Sequence, residues 1–519
     1  RVLLEDLETA YQQLAQGQPV ALPPRSTSFQ AWAHHLESFA RSEALAAEVP
    51  AWEELARQSH PGLPLDGSGP NTHASERTVS VQLEPDETRL LLQETPAAWR
   101  ARLEDVLLAA LARALTEWTG HCEVLVDLEG HGRQEQLLEG VDLSRTVGWF
   151  TSVAPVLLRV PARGTPGDGL RAVRDSLHRL PHHGLGFGLL RWMGPDAIAQ
   201  RLRALPGAPV LFNYLGQLDA SAAASTLFVL DEQDTGPHAA PSGTRDHLLE
   251  VNGSVLGGCL RLAFGYSSHL HSATTIERLA RRFLHHLRAL ISSRHSEDSR
   301  RFTPGDFPLA PLTPETLDAL LRRAGPDVED LYPVSPLQHG LLFHWMLTPG
   351  SDVYLEQMAW TMQGRLDLEA FRKAWQASVD LHPILRTSFH WEGLTSPLQV
   401  VHARATLPFE VLDWRALPAA GQQARFQQLQ DEDRRRGFDP RQVPLMRLSA
   451  VRLGEDTWRF LWNHHHLLLD GWSLGLIFQD VLALYEATRS GAPARLVSRP
   501  PFRDYIAWLE RRGTATDEA

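Results

Sequence analysis

The 519-residue chain predicts an α/β fold in which helices are layered on sheets (α+β layered), and three observations carry that expectation. Segments with helical apolar spacing alternate with short apolar runs along most of the chain. Hydrophobic residues make up 43% and charged residues 22%, a globular balance that excludes wholesale disorder. The length exceeds the roughly 100–200 residues of one average domain, so more than one folded unit is expected.

Taken in order, Val2–Gln16 has the apolar spacing of a helix, with Gly17 as its stop. Glu104–Thr116 predicts a second helix and Glu123–Leu128 a strand. Ala208–Leu215 and Val255–Tyr266 predict further strands, and Thr275–Ser292 a helix. The polar, then Pro-rich stretch Ser293–Pro311 has the composition of a linker. Beyond it, helices are expected at Thr313–Ala324, Pro336–Leu347, Leu368–His382 and Ser473–Thr488, with strands near Tyr354–Thr361 and Trp458–His466.

No apolar run reaches the roughly 18 residues of a bilayer span, and no signal-peptide pattern is present, so no membrane partner and a cytoplasmic location are expected. Two cysteines, Cys122 and Cys259, exclude a disulfide framework or a four-thiolate zinc site. A net charge of −12, with its arginines scattered, argues against nucleic acid as a partner. An internal repeat is visible. Asp6, Tyr11, Gly17 and Pro19 correspond to Asp480, Tyr485, Gly491 and Pro493; after a one-residue gap, Phe29, Trp32 and Leu36 correspond to Phe502, Tyr505 and Leu509. The chain therefore reads as little more than one period of a large repeating unit, cut from something longer.

The strongest chemical signal is WRFLWNHHHLLLDGWS, Trp458 to Ser473. Strand alternation places His464 and His466 on one face and His465 on the other. Asp470-Gly471 predicts a tight turn into the following helix. A histidine at a strand end with one free ring nitrogen suits a general base near neutral pH. Two other readings of these residues stand beside it: a structural histidine run, and a metal site built from His464, His466 and Asp470.

His465-His466-Leu467-Leu468-Leu469-Asp470-Gly471 resembles the HHxxxDG active-site motif of condensation domains in nonribosomal peptide synthetases. LYPVSPLQHGLLFH (Leu331–His344) resembles the first motif of that family, and HPILRTSF (His382–Phe389) the second, with Leu381 standing where the family usually has Arg. The resemblance implies that His466 assists attack of an acceptor amine on a donor thioester. It implies a neighbouring role for His465, a structural Asp470 paired with an arginine such as Arg386, and a turn at Gly471.

The first 295 residues resemble a related subfamily, the epimerization domain. The motifs are DLEGHGRQ (Asp127–Gln134), DLSRTVGWFTSVAPV (Asp142–Val156), PHHGLGFGLLRW (Pro181–Trp192) and FNYLGQLD (Phe212–Asp219). Inverting an aminoacyl thioester needs a base for the α-proton and an acid on the opposite face. Glu129, ending an apolar strand beside Gly130, is placed to be partly desolvated, which would raise its pKa. The bland alternative is a surface carboxylate paired with His131 or Arg133. By resemblance Glu129 is one catalytic group, and Asn213 and Tyr214 line the pocket; Asp142, Arg145 and Trp149 are expected to pack. His182 and His183 read as surface or packing residues. The Gly-rich GLGFG lacks the Lys-Ser/Thr of a phosphate loop.

The resemblance implies lobes of the chloramphenicol acetyltransferase type: 1–25 the tail of an epimerization N-terminal lobe, 26–292 its C-terminal lobe, 293–330 a linker, 331–495 a condensation N-terminal lobe, and 496–519 the start of the crossover to the next lobe. It implies no directly bound cofactor; substrates would arrive on phosphopantetheine arms of carrier domains, with carrier and adenylation domains as partners. A condensation domain following an epimerization domain would take a D-configured donor. With each pocket split by a chain end, the isolated chain is expected to be inactive. The competing expectations are a stand-alone CoA-dependent acyltransferase with the same HHxxxDG motif, and a non-catalytic carrier-docking scaffold.

Overall fold

The computed structural model describes residues 2–57, 62–135, 140–217, 236, 239–348 and 354–516. The chain divides into two compact units, Arg1–Arg301 and Phe302–Ala519. No helix among the described residues is long and apolar enough to cross a membrane.

The first unit is built on a mixed six-stranded sheet. Its strands are β1 (Glu76–Gln82), β2 (Glu123–Gly130), β3 (Ser152–Arg159), β4 (Val210–Gln217), β5 (Leu249–Leu256) and β6 (Cys259–Ser267), in the order β1-β6-β5-β4-β2-β3. Strand β2 runs parallel to β4 and antiparallel to β3. The helix Leu103–Thr119 is buried nearly all round, as its continuous Val-Leu-Leu-Ala-Ala-Leu-Ala run requires. Gly120, at φ +75°, ends it in the left-handed conformation that glycine adopts freely. The helix Ala273–Ser292 buries Ile276, Leu279, Ala280, Phe283, Leu284, Leu287, Leu290 and Ile291, a single stripe at helical spacing. Both helices share one core with Val124, Val126, Phe212, Val251 and Phe264 of the sheet.

Among its described residues the second unit holds seven strands: β7 (Val328–Pro333), β8 (Leu355–Gln363), β9 (Thr387–His390), β10 (Leu398–His402), β11 (Phe409–Asp413), β12 (Met446–Arg452) and β13 (Thr457–His465). They form a three-stranded sheet, β7-β10-β9, and a four-stranded sheet, β11-β12-β13-β8. Trp375, Phe371, Trp462 and Phe460 centre the core beneath the helices Leu368–Leu381 and Gly471–Ser490.

The expected elements are present with shifts of a few residues, and two expectations change. The run Val255–Tyr266 is not one strand: Gly257 and Gly258, at φ +61° and +71°, turn it into the β5–β6 hairpin. Two successive positive φ values are what a two-residue hairpin loop demands. The stretch Ser293–Pro311 is folded. Asp298, in the short helix Glu297–Arg300, receives Arg171 at 2.6 Å, and Phe307 and Ala310 are buried with Leu317, Leu320 and Val400. The unit boundary falls inside it, at Arg301/Phe302. Gly17 and Gly491, which correspond in the internal repeat, both follow a helix with positive φ, at +69° after Val2–Ala15 and +70° after Gly471–Ser490.

Candidate functional site

In the first unit the chemistry gathers at the end of β2. Val124 and Val126 face the core, and Leu128 packs against it, so alternation turns Glu129 to the other face of the sheet. There Glu129 stands in register with Asn213 of β4, and Asn213 with Asn252 of β5. Tyr214, one residue on, turns back and packs against the core.

Glu129 opens on a cavity of about 560 Å³ whose walls include Arg102, Glu104, His131, His183 and Tyr214. Asn213 lies one strand over, outside that lining. The Glu129 carboxylate makes no hydrogen bond or ion pair among the described residues, and burial alone pushes its pKa up. The alternative of pairing with His131 or Arg133 is therefore absent. The Arg133 guanidinium donates to the carbonyls of Leu143 (2.6 Å) and Thr146 (2.9 Å) and lies 3.9 Å over the Phe150 ring. His131 accepts the Arg133 backbone N–H on Nδ1 at 3.0 Å. Burial likewise raises the Glu104 pKa, with Asp105 adding to the shift and Arg102 opposing it, and raises that of Tyr214.

The glycine between His131 and Arg133 is dictated by geometry. Gly132 sits at φ +63°, and a Cβ there would overlap the Phe150 carbonyl oxygen. Gly132→Ala is expected to lower stability by about 3 kcal/mol and displace the cavity wall; urea denaturation of the purified chain measures the first effect.

Of the three motif residues expected to pack, only Arg145 is half-buried; Asp142 is exposed and held through its backbone. Asp142 exchanges hydrogen bonds with Thr27, and Arg145 pairs with Asp6 and, at 3.3 Å, with Glu5. Trp149 does not pack: it is 82% exposed, although its neighbour Phe150 is buried.

In the second unit His466 follows directly on β13. Its backbone N–H donates to the Tyr354 carbonyl at 2.8 Å, and its Nδ1–H donates to the Leu469 carbonyl at 2.9 Å. That bond fixes the tautomer and leaves the Nε2 lone pair free. Its neighbours are buried instead. His464 stacks on Trp462 at 4.6 Å, and His465 accepts the Leu467 N–H on Nδ1 at 3.1 Å. Burial drives both imidazoles down to about 4. The ladder ends at His465, so the shared face expected for His464 and His466 does not extend to His466.

Asp470 is the N-cap of the next helix, accepting Ser473 N–H at 2.9 Å and Ser473 Oγ–H at 2.7 Å. Those bonds hold its pKa below the usual carboxylate range. The expected Asp470–Arg386 pair is corrected by this geometry. Arg386 is buried and donates to Glu329 (2.7 Å) and to the carbonyls of Val379, Asp380 and His402. Gly471 is also corrected: it is the first helical residue, without a positive φ, and a Cβ there would meet nothing within 4 Å. No group of three His, Cys, Asp or Glu side chains able to hold a metal exists among the described residues.

One positioning residue escaped the sequence reading. Gln338 is buried and completes a capping box, its Oε1 accepting Ser335 N–H at 2.9 Å while its own N–H donates to Ser335 Oγ at 3.2 Å. Its Nε2 then reaches the Leu467 carbonyl at 2.9 Å, next to His466. The SPLQ spacing, Ser followed three residues later by Gln, announces the cap but not this second contact.

The sequence pattern of the condensation domain family matches residues 1–310 and 328–518. A linear gramicidin synthase of Brevibacillus parabrevis is 43% identical over 516 residues, 99% of this chain and 7% of that protein. Bacitracin synthase 3 of Bacillus licheniformis is 32% identical over 99% of this chain and 8% of that protein. The chain thus spans less than a tenth of the length of these curated relatives. Among solved structures, the epimerization domain from the third module of tyrocidine synthetase B is 31% identical, with a TM-score of 0.53 over 57% of this chain and 66% of that one. With nearly its whole length matched, the chain belongs to the condensation domain family of nonribosomal peptide synthetases.

Proposed function

We propose that the first unit inverts the α-carbon of a carrier-bound aminoacyl or peptidyl thioester from L to D, and that the second joins a D-configured donor to the next carrier-bound acceptor. The observation that carries the first half is the Glu129 carboxyl, unpaired and partly desolvated on a cavity wall. A base with a raised pKa is better matched to an α-proton at neutral pH than an exposed carboxylate. The 31% identical epimerization domain supports the same reading. For the second half, a tautomer-fixed His466 offers Nε2 to the proton of an attacking amine. The partners are carrier and adenylation domains of one synthetase, the substrates hang on phosphopantetheine arms, and the compartment is the cytoplasm.

The test uses the synthetase that holds this chain, with both carriers loaded. His466→Ala is expected to slow peptide-bond formation about a hundredfold, with racemisation of the upstream residue unchanged on chiral chromatography. Acyl transfer from CoA at the same rate as from the carrier would favour an acyltransferase instead. Carrier binding with no chemistry in the parent synthetase would favour a scaffold.

A further inference from the structure

A strained turn contributes Leu180 and His183 to the wall of the Glu129 cavity. His182 and His183 stand at φ +43° and +51°, and Gly184 follows at +86°. Left-handed backbone costs roughly 1–2 kcal/mol per non-glycine residue, so two in succession persist only where the surroundings hold them. A brace is present. The His182 Nδ1 pairs with the Glu48 carboxylate, which is buried and accepts the Trp52 indole N–H at 3.0 Å. The Phe39 ring meets the His182 imidazole edge to face at 5.5 Å, and Gly186 has no side chain because the Glu48 carboxylate fills its place. On the other side Gly184 lies so near β3 that a Cβ would come within 2.6 Å of the Ala154 Cβ.

The strain places one side chain. His183 lines the cavity that holds Glu129, and its imidazole makes no hydrogen bond among the described residues. Although the residue is exposed at the cavity wall, partial desolvation of the ring and the nearby Arg102, His178, His182 and His131 hold its pKa below the ordinary histidine range, so the ring is neutral at physiological pH. A neutral imidazole is a poor proton donor but a sound hydrogen-bond donor.

We infer, on the epimerization reading above, that His183 donates a hydrogen bond to the carbonyl oxygen of the bound thioester, and that the His182–Glu48 pair is the brace that positions it. Removal of the α-proton breaks the Cα–H bond. The proton passes to the Glu129 carboxylate, and the electron pair moves through the new Cα=C bond onto the carbonyl oxygen. The His183 N–H stabilises that oxygen without giving up its proton. Inversion is completed when a second acid group delivers a proton to Cα on the face opposite Glu129, and the electron pair returns from oxygen to form the new Cα–H bond.

Deuterium wash-in at the α-carbon of a carrier-bound aminoacyl thioester, followed in the synthetase, tests the assignment. Asn and Asp are isosteric and both tolerate left-handed backbone, but only Asn donates. His183→Asn is expected to stay within about tenfold of the parent, and His183→Asp to lose about a hundredfold or more in kcat with KM little changed. The pH profile should keep its shape in His183→Asn. Glu48→Gln should lower kcat in the same direction without moving the limb set by Glu129. Equal rates for the Asn and Asp variants would overturn the assignment, as would a limb in the pH profile that vanishes with His183. Absence of wash-in by the parent enzyme would instead remove the epimerization reading beneath it.

Discussion

Glu129→Gln is expected to reduce α-proton exchange in the synthetase by about a thousandfold, within the range general-base removal produces. Gln keeps the shape and the hydrogen-bonding capacity of the side chain but cannot take up a proton, so binding of the thioester should survive. The loss should therefore fall on kcat. The pH dependence follows from the direction of the shift: burial lifts the Glu129 pKa above the 4.5 of an ordinary glutamate. A base works only when deprotonated, so the rate should climb with pH through a limb lying above 4.5, and that limb should be missing from the residual activity of the Gln variant. Deuterium wash-in at several pH values measures both. A Gln variant within tenfold of the parent would mean that another group takes the proton.

Much of this arrangement is legible in the sequence because it is local. The apolar strand that ends at Glu129 predicts a partly desolvated carboxyl, and the run closing β13 predicts a histidine at a strand end. What stayed hidden depends on partners far along the chain. The motif resemblance pairs Asp470 with Arg386, yet a carboxylate before a helix is captured by the nearest free N–H groups, those of the first turn. On the helix that Asp470 caps, it is Asp480 that takes an arginine: Arg499 is bidentate to it at 3.2 Å, with His382 on the same carboxylate at 3.0 Å. Strand β12 is buried on both faces, Arg447 and Ser449 as well as Met446 and Leu448, a burial that its alternating Met-Arg-Leu-Ser pattern does not announce. The His182-His183 pair reads as surface or packing residues, and His183 is indeed exposed while His182 packs against Phe39; what leaves no mark on a sequence without glycine at those positions is their left-handed backbone.

Acid should unfold the second unit well before its carboxylates titrate. His390, His464 and His465 are buried, and burial is the main cause that lowers each to about 4. In the unfolded chain the same rings titrate near 6.5. Between those values the unfolded state binds protons that the folded state refuses, so stability is full above 6.5 and falls as pH drops toward 4. Near pH 5 the linkage amounts to about 2 kcal/mol for each ring and roughly 6 kcal/mol for the three. That is comparable with the whole stability of a typical domain, about 5–15 kcal/mol. His402 and His382 shift the same way and steepen the fall. Asp413 and Asp439, held low by arginine, add their loss only at lower pH, so the window from about 6.5 to 5 isolates the imidazoles. Urea denaturation at about pH 7, 6 and 5 should show the transition of the Trp-rich second unit moving steeply to lower urea. His464→Phe, which keeps a ring against Trp462, should remove about a third of that movement. A transition that stays put between pH 7 and 5 would mean that these rings are hydrated and protonated in the folded state.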